Sequence, residues 1–353
     1  MINYRHDGFD GDFDHPREFV RALITGASGF IGGHLAEGLC RRGYDVFCLV
    51  RKTSLVSHLR HLPVRFVIGD LRDASSLRAA VRGMDYVFHL AGVITSLDRQ
   101  EYEAVNVQGT RKLVHAILGE AIGLKRFVFV SSISAAGPSP EGRALSEADE
   151  PRPISEYGRS KLAAERIVLE AGSKLPVAVV RPPNVLGPWQ RELQESVRLI
   201  RRRIVPVVGN GRPQTSLADV ADVVEALALC AENPRALGEI YFITDGKAYA
   251  WREIVAAAIR ELGLRPPFLK VPFAVQYAAS SIEEGTARRQ RRAPRLTREQ
   301  VLAVRKYYWI YDGTKIRREL GFKPVWDMPG SIRRTVQWML RQEGRVSGET
   351  GST

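Results

Sequence analysis

The stretch Ala22-Leu23-Ile24-Thr25-Gly26-Ala27-Ser28-Gly29-Phe30-Ile31-Gly32 reads as a strand, a tight turn and the start of a helix. Four apolar or β-branched residues end at a glycine turn, and a helical pattern follows over 31–42, closed by Gly43. Glycine at this spacing lets the backbone turn sharply and come close to a pyrophosphate. The helix N-terminus then offers free N–H groups and the positive end of its dipole. Gly26, Ser28, Gly29, Phe30, Ile31 and Gly32 are therefore candidate phosphate-binding positions. The strand before and the helix after supply the context that a bare glycine trio lacks.

The same alternation continues outward. Apolar runs at 46–50, 65–68, 86–90, 127–130 and 177–180 read as strands. Helical patterns at 74–81, 105–122 and 160–171 lie between them. Strands alternating with helices imply parallel pairing, and near-continuous apolar strands imply a sheet buried on both faces. The expected fold is α/β, a Rossmann-type doubly wound parallel sheet. After Arg181 the alternation weakens at Pro182, Pro183 and Pro188. Helices are expected at 192–202, 220–232, 251–262 and 312–320, with short strands at 204–208 and 240–244. Thr297 and Gln300 form a capping-box spacing that opens one more helix, through Arg305. The expected organisation is a flexible leader over 1–19 and a dinucleotide-binding domain over 20–188. A smaller, mostly helical substrate lobe then covers 189–343, and segments near 215–232 and 240–246 return to the main domain. Residues 344–353, rich in Gly and Ser, read as a flexible tail.

Composition bounds the function. The chain has 353 residues, of which 26% are charged and 44% hydrophobic, an ordinary globular balance. Its three cysteines, Cys40, Cys48 and Cys230, form no CxxC pair, which excludes a disulfide scaffold and a zinc ribbon. No apolar run approaches the roughly 18 residues of a membrane helix, and the first residues lack the apolar core of a secretory signal. A cytoplasmic protein is expected. Asp10, Asp12 and Asp14 have the spacing that opens a calcium loop. However, His15 stands where such a loop needs glycine and no Glu closes it, so no metal site is expected. The net charge of +13, with 42 arginines against ten lysines, favours anionic ligands such as phosphorylated cofactors. Arg201-Arg202-Arg203 and the run Arg288, Arg289, Arg291, Arg292, Arg295 and Arg298 read as solvated helix faces and a loop, with contact to phosphate or a lipid surface as the alternative. Neither nucleic acid nor a membrane surface is an expected partner; a small-molecule substrate is.

Two further patterns carry chemistry. The second strand ends in Val50-Arg51-Lys52, where a carboxylate would select NAD by binding the adenosine ribose. Two cations there favour NADP(H), with NAD(H) left open. Asp70, followed by Leu71, either accepts from the adenine amino group or caps the next helix. Tyr157-Gly158-Arg159-Ser160-Lys161 places a phenol and an amine one helical turn apart. A nearby ammonium would lower the Tyr157 pKa from about 10 and make it a general acid/base. Ser131-Ser132 ends a strand on the sheet edge where ligands bind in this architecture.

In order, the chain carries TGASGFIG, GDLRD, His89-Leu90-Ala91-Gly92, Asn106-Val107-Gln108-Gly109-Thr110, Ser131-Ser132, YGRSK and Arg181-Pro182-Pro183-Asn184-Val185-Leu186-Gly187-Pro188. This series resembles the extended short-chain dehydrogenase/reductase superfamily, in its NAD-dependent epimerase/dehydratase grouping. Arg51 and the closing Leu320-Gly321-Phe322-Lys323-Pro324 are similar to dihydroflavonol-reductase-like and 3β-hydroxysteroid-dehydrogenase-like members. The resemblance implies that Ser132 holds the substrate oxygen, Tyr157 carries the proton and Lys161 binds the nicotinamide ribose. It implies a catalytic place for Asn106, linked to backbone or water near Lys161. It puts Leu90, Ala91 and Gly92 on the adenosine side, Pro182 and Pro183 beside the nicotinamide, and Asn184 and Arg212 at the substrate. It also implies a homodimer formed through two sheet-flanking helices.

Ala136 stands where sugar-nucleotide epimerases often carry Tyr, and Gln214-Thr215-Ser216-Leu217-Ala218 lacks the aromatic and His that usually precede Asp219. The expected function is an NAD(P)-dependent oxidoreductase acting on a carbonyl or secondary alcohol. A nucleotide-sugar epimerase or dehydratase with tightly held NAD is the alternative, and a non-catalytic nucleotide sensor the minor one.

Overall fold

The computed structural model describes residues 19–207, 213–290, 292–294 and 296–349. The acidic leader, Arg212, Arg291 and Arg295 lie outside the described residues.

Twelve short strands occur along the described chain. They are β1 Arg21–Thr25, β2 Asp45–Val50, β3 Val64–Ile68, β4 Tyr86–His89, β5 Arg126–Val130 and β6 Val177–Arg181. After them come β7 Asn184–Leu186, β8 Val205–Val207, β9 Gln214–Asp219, β10 Ile240–Phe242, β11 Ala248–Ala250 and β12 Phe268–Lys270. Seven of them form one parallel sheet in the order β10-β6-β5-β4-β1-β2-β3. The order reverses between β1 and β4, so a crevice opens there beyond the strands' carboxyl ends. Thr25 of β1 and His89 of β4 face each other across it.

The helices are α1 Phe30–Arg41, α2 Ala74–Val81, α3 Arg99–Tyr102, α4 Gln108–Glu120, α5 Ile133–Ala136, α6 Glu156–Glu170 and α7 Arg191–Arg201. After these come α8 Val220–Glu232, α9 Trp251–Glu261, α10 Phe273–Arg289, α11 Arg298–Lys306, α12 Thr314–Leu320 and α13 Met328–Glu349. Successive strand residues point to opposite faces. Ala22 and Ile24 therefore pack under α1 and α8, with Leu35, Leu39, Val223 and Leu227. Leu23 packs under α2, α4 and α6, with Leu77, Leu113 and Val168. The two helices of the first face meet closely: a Cβ on Gly38 of α1 would lie 2.6 Å from Val224 of α8.

A third cluster joins α7, α9 and α13 through Leu193, Val197, Ile254, Val255, Ile332 and Val336. This lobe sits on the small sheets β11-β9-β7 and β12-β8.

Several elements differ from the sequence reading, among them α10 and α13, for which no helix was expected. The helix expected over 105–122 begins earlier, with α3 at Arg99, and passes through a π-helical stretch Glu103–Val107 into α4. The helix expected from Ser160 starts at Glu156, capped by Ser155, whose side chain accepts from Gly158 N. Tyr157 is thereby inside the helix. The last helix continues through Glu349, past Gly344, where the flexible tail was expected to begin.

Candidate active site

The glycine turn is built for a close approach. Gly26 has φ +79°, a left-handed conformation that suits glycine, and its carbonyl accepts from Gly29 N at 3.0 Å. A Cβ on Gly32 would lie 2.2 Å from the Gly26 carbonyl oxygen, and one on Gly26 would lie 2.6 Å from Ala91 N. Helix α1 starts at Gly29 with no side-chain cap and no acidic residue in its first turn. Its first N–H groups and the positive end of its dipole are thus left for an anion. These features fit a pyrophosphate. Replacing Gly32 with Ala is expected to weaken dinucleotide binding by about tenfold or more. Fluorescence titration with NADPH, with circular dichroism to check the fold, measures this.

At the far side of the turn, Arg51, Ser54, Asp70, Leu71 and Arg72 line one wall. Lys52 is exposed and does not form part of it. Asp70 does not cap α2, because Asp73 does, accepting from Ser75 N. Asp70 Oδ1 instead accepts from Arg72 N at 2.8 Å. Arg72 was missed in the sequence, although it stands two residues past Asp70 in the quoted GDLRD motif.

Tyr157 and Lys161 project from the same face of α6 onto the wall that also holds Ser132. Ser132 caps α5, and its Oγ accepts from Ser134 N at 3.1 Å. Ser131 Oγ beside it is buried without a protein partner. The Lys161 ammonium donates to the Val130 carbonyl at 2.7 Å and sits 4.2 Å over the Phe129 ring. Burial pushes Lys161 down to about 7. Burial pushes the Tyr157 phenol up to about 12, while its hydrogen bond with Ser132 pulls the other way. The net direction at the phenol is upward, led by burial, and not the lowering expected from the Y-x-x-x-K spacing. The amine is engaged with a strand-end carbonyl instead.

Asn106 does not line the cavity; it braces the site from behind. Its Oδ1 accepts from Val93 N at 2.7 Å, and its Nδ2 donates to Val93 O and to Ser160 Oγ, each at 2.9 Å. Ser160 Oγ donates in turn to the Tyr157 carbonyl at 2.8 Å. A second chain reaches Asn106 from the glycine turn. Thr110 Oγ1 donates to Asn106 O at 2.6 Å, so it accepts from His89 Nε2 at 2.9 Å. That leaves His89 Nδ1 to accept from Thr25 Oγ1 at 2.7 Å. Burial holds His89 down to about 3, which keeps it neutral and this polarity fixed. His89, Thr110 and Ser160 were not singled out as site residues in the sequence. The first two are 21 residues apart and belong to a strand end and a helix, with no spacing to mark them.

A single cavity of about 1480 Å³ joins these walls. It runs from Gly26–Gly32 and Arg51, past Leu90, Ala91 and Gly92, to Ser132, Tyr157, Lys161, Pro182, Pro183 and Asn184. It then enters the lobe between α7, α9 and α10. The Asn184 amide donates to Thr215 Oγ1 at 3.4 Å. Of the sequence-derived site residues that are described, all except Lys52 and Asn106 line this space, and Arg212 lies outside the described residues. Among the described residues no group of three His, Cys, Asp or Glu could hold a metal, and no helix is long and apolar enough to cross a membrane.

A profile of the NAD dependent epimerase/dehydratase family matches residues 22–244. The chain belongs to that family. It is 31% identical to the 4-hydroxy-2-methyl-3-oxo-4-farnesyl-3,4-dihydroquinoline-1-oxide ketoreductase of Stigmatella aurantiaca, over 86% of this chain and 92% of that protein. It is 30% identical to a 3β-hydroxysteroid dehydrogenase/Δ5→4-isomerase of Mycobacterium tuberculosis, over 89% of each. Among solved structures it is similar to MoeE5 in complex with UDP-glucuronic acid and NAD. That match has a TM-score of 0.74 and 28% identity, and covers 91% of this chain and 99% of that one. Family members thus include both reductases or dehydrogenases and enzymes that bind nucleotide sugars.

Proposed function

We propose that this chain is an NADP(H)-dependent oxidoreductase that interconverts a carbonyl and a secondary alcohol on a bulky, apolar substrate. One observation carries this reading: the wall holding Ser132, Tyr157 and Lys161 opens into a chamber without cations from α7 or α9. Those helices present Leu193, Ile200, Trp251, Ile254, Val255 and Ala258, with Ser196 and one carboxylate, Glu192. A sugar diphosphate would carry at least two negative charges into that wall and find no arginine or lysine on it, since the arginines at this end of the cavity, Arg288 and Arg298, belong to α10 and α11. The farnesylated quinoline oxide and the hydroxysteroid for which the ketoreductase and dehydrogenase relatives are named agree with an apolar chamber.

The nicotinamide supplies or accepts the hydride when bound. The protein's own groups do the rest. The glycine turn and the α1 N-terminus hold the pyrophosphate. The Tyr157 hydroxyl gives its proton to the nascent alkoxide on reduction and takes it back on oxidation. Ser132, already hydrogen-bonded to that phenol, donates to the same substrate oxygen. Lys161, bonded to Val130 O in the protein alone, would hold the nicotinamide ribose, and its positive charge near the phenol would favour the ionised form. Asn106, through Ser160, fixes the backbone at Tyr157.

Arg51 and Arg72 flank the adenosine end, and the end of β2 carries no carboxylate. A 2′-phosphate is attracted there rather than repelled. Purified protein is expected to exchange its cofactor freely and to bind NADPH more tightly than NADH. Replacing Arg51 with Asp should shift the NADPH/NADH affinity ratio towards NADH by about tenfold or more. An unchanged ratio contradicts the cofactor preference. NAD that survives purification and does not exchange supports the epimerase reading instead.

A further inference from the structure

Helix α10 turns an apolar face outward. Its exposed positions are Ala274, Val275, Ala278, Ala279, Ile282, Gly285, Arg288 and Arg289. Apart from Arg288, they fall on one stripe at helical spacing. The stripe has no charge until Arg289. Val275 is 55% exposed and Ile282 70%, and nearby Leu296 and Leu302 are 41% and 42% exposed. Surface helices normally turn their polar side to water. Here the helix's acidic groups lie off the stripe and are paired, Glu283 with Arg292 and Glu284 with Arg298. Residues 273–306 carry eight basic and three acidic side chains. Val275, Ala279, Arg288 and Leu296 of this segment are exposed and, with Gln276, line the cavity, so one mouth of the cavity lies beside this face.

We infer that this face of α10, with the arginines that follow it, docks on an anionic lipid surface. Apolar side chains rimmed by arginine match the boundary between acyl chains and acidic headgroups. A second copy of the chain would bring the same positive excess to the contact, whereas acidic lipid neutralises it. Contact of this kind is peripheral, since no described helix can cross a bilayer. It sets the cavity mouth against the bilayer, so an apolar molecule could pass between lipid and site without crossing water. From the sequence, lipid-surface contact is the alternative to a solvated loop for this arginine run.

The test is flotation of the full chain with vesicles of phosphatidylcholine, with or without phosphatidylglycerol. Binding is expected only with phosphatidylglycerol, and it should weaken as salt is raised. Val275→Glu with Ile282→Glu, and separately Arg288→Ser with Arg289→Ser, should each weaken it by about tenfold or more. These positions are exposed, and circular dichroism checks that the variants fold. Absence of binding to either vesicle overturns the inference, as does equal binding by wild type and both double variants. Sedimentation that shows Ile282→Glu breaking a dimer, with no vesicle binding by the wild type, assigns the face to a second copy and also overturns it. Docking does not depend on the hydride chemistry, so this readout stands apart from turnover.

Discussion

Replacing Tyr157 with Phe lowers kcat by about 10²–10⁴-fold, the range for loss of a positioned general acid/base, and leaves cofactor affinity unchanged. The substitution removes one oxygen and keeps the ring, which packs 6.3 Å from Tyr102. The glycine turn and the adenosine wall are untouched. Steady-state kinetics together with NADPH titration separate the two effects. Lys161→Met is expected to behave differently. It removes both the group assigned to the ribose and the charge beside the phenol, so affinity and kcat fall together. A Tyr157→Phe enzyme with full turnover contradicts the assigned proton path.

The largest expected effect on stability lies behind the same helix. Arg181, at the end of β6, is 1% exposed and donates Nε to Glu165 Oε2 of α6 at 3.0 Å. A second bond joins Arg181 Nη2 to Glu165 Oε1. The guanidinium also lies over the Phe242 ring at 5.4 Å. Glu165 follows Lys161 by one helical turn, so this pair ties α6 to the sheet. Glu165→Ala leaves a buried cation without its anion and should cost about 3–5 kcal/mol. Removing the exposed pair Arg191–Glu195 should cost less than about 1 kcal/mol. Urea denaturation of the two variants makes the comparison. Changing Arg181 and Glu165 together to apolar residues of similar volume should recover most of the loss, because the penalty comes from the unpaired charge.

The sheet was legible because its strands announce themselves. Ala22–Ile24, Val46–Val50 and Val177–Val180 are unbroken apolar runs, as a sheet covered on both faces requires. The glycine turn was legible because only glycine tolerates the φ at Gly26 and the contact at Gly32. The positions of Ser132, Tyr157 and Lys161 could be read from spacing, but their electrostatics could not. Spacing along α6 says nothing of the Val130 carbonyl that takes up the Lys161 ammonium. The Thr25–His89–Thr110–Asn106 chain was hidden for the same reason, since it is made by pairing of β1 with β4. Helix α10 escaped because amphipathic patterning assumes a polar outer face, and this helix has an apolar one.

The most direct measurement is a crystal structure with NADPH bound. The expected result has the pyrophosphate on Gly26–Gly32, the 2′-phosphate at Arg51, and the nicotinamide ring between Tyr157 and Pro182 with Lys161 turned from Val130 to the ribose. A dinucleotide bound elsewhere, or a nicotinamide ring remote from the Tyr157 hydroxyl, contradicts it.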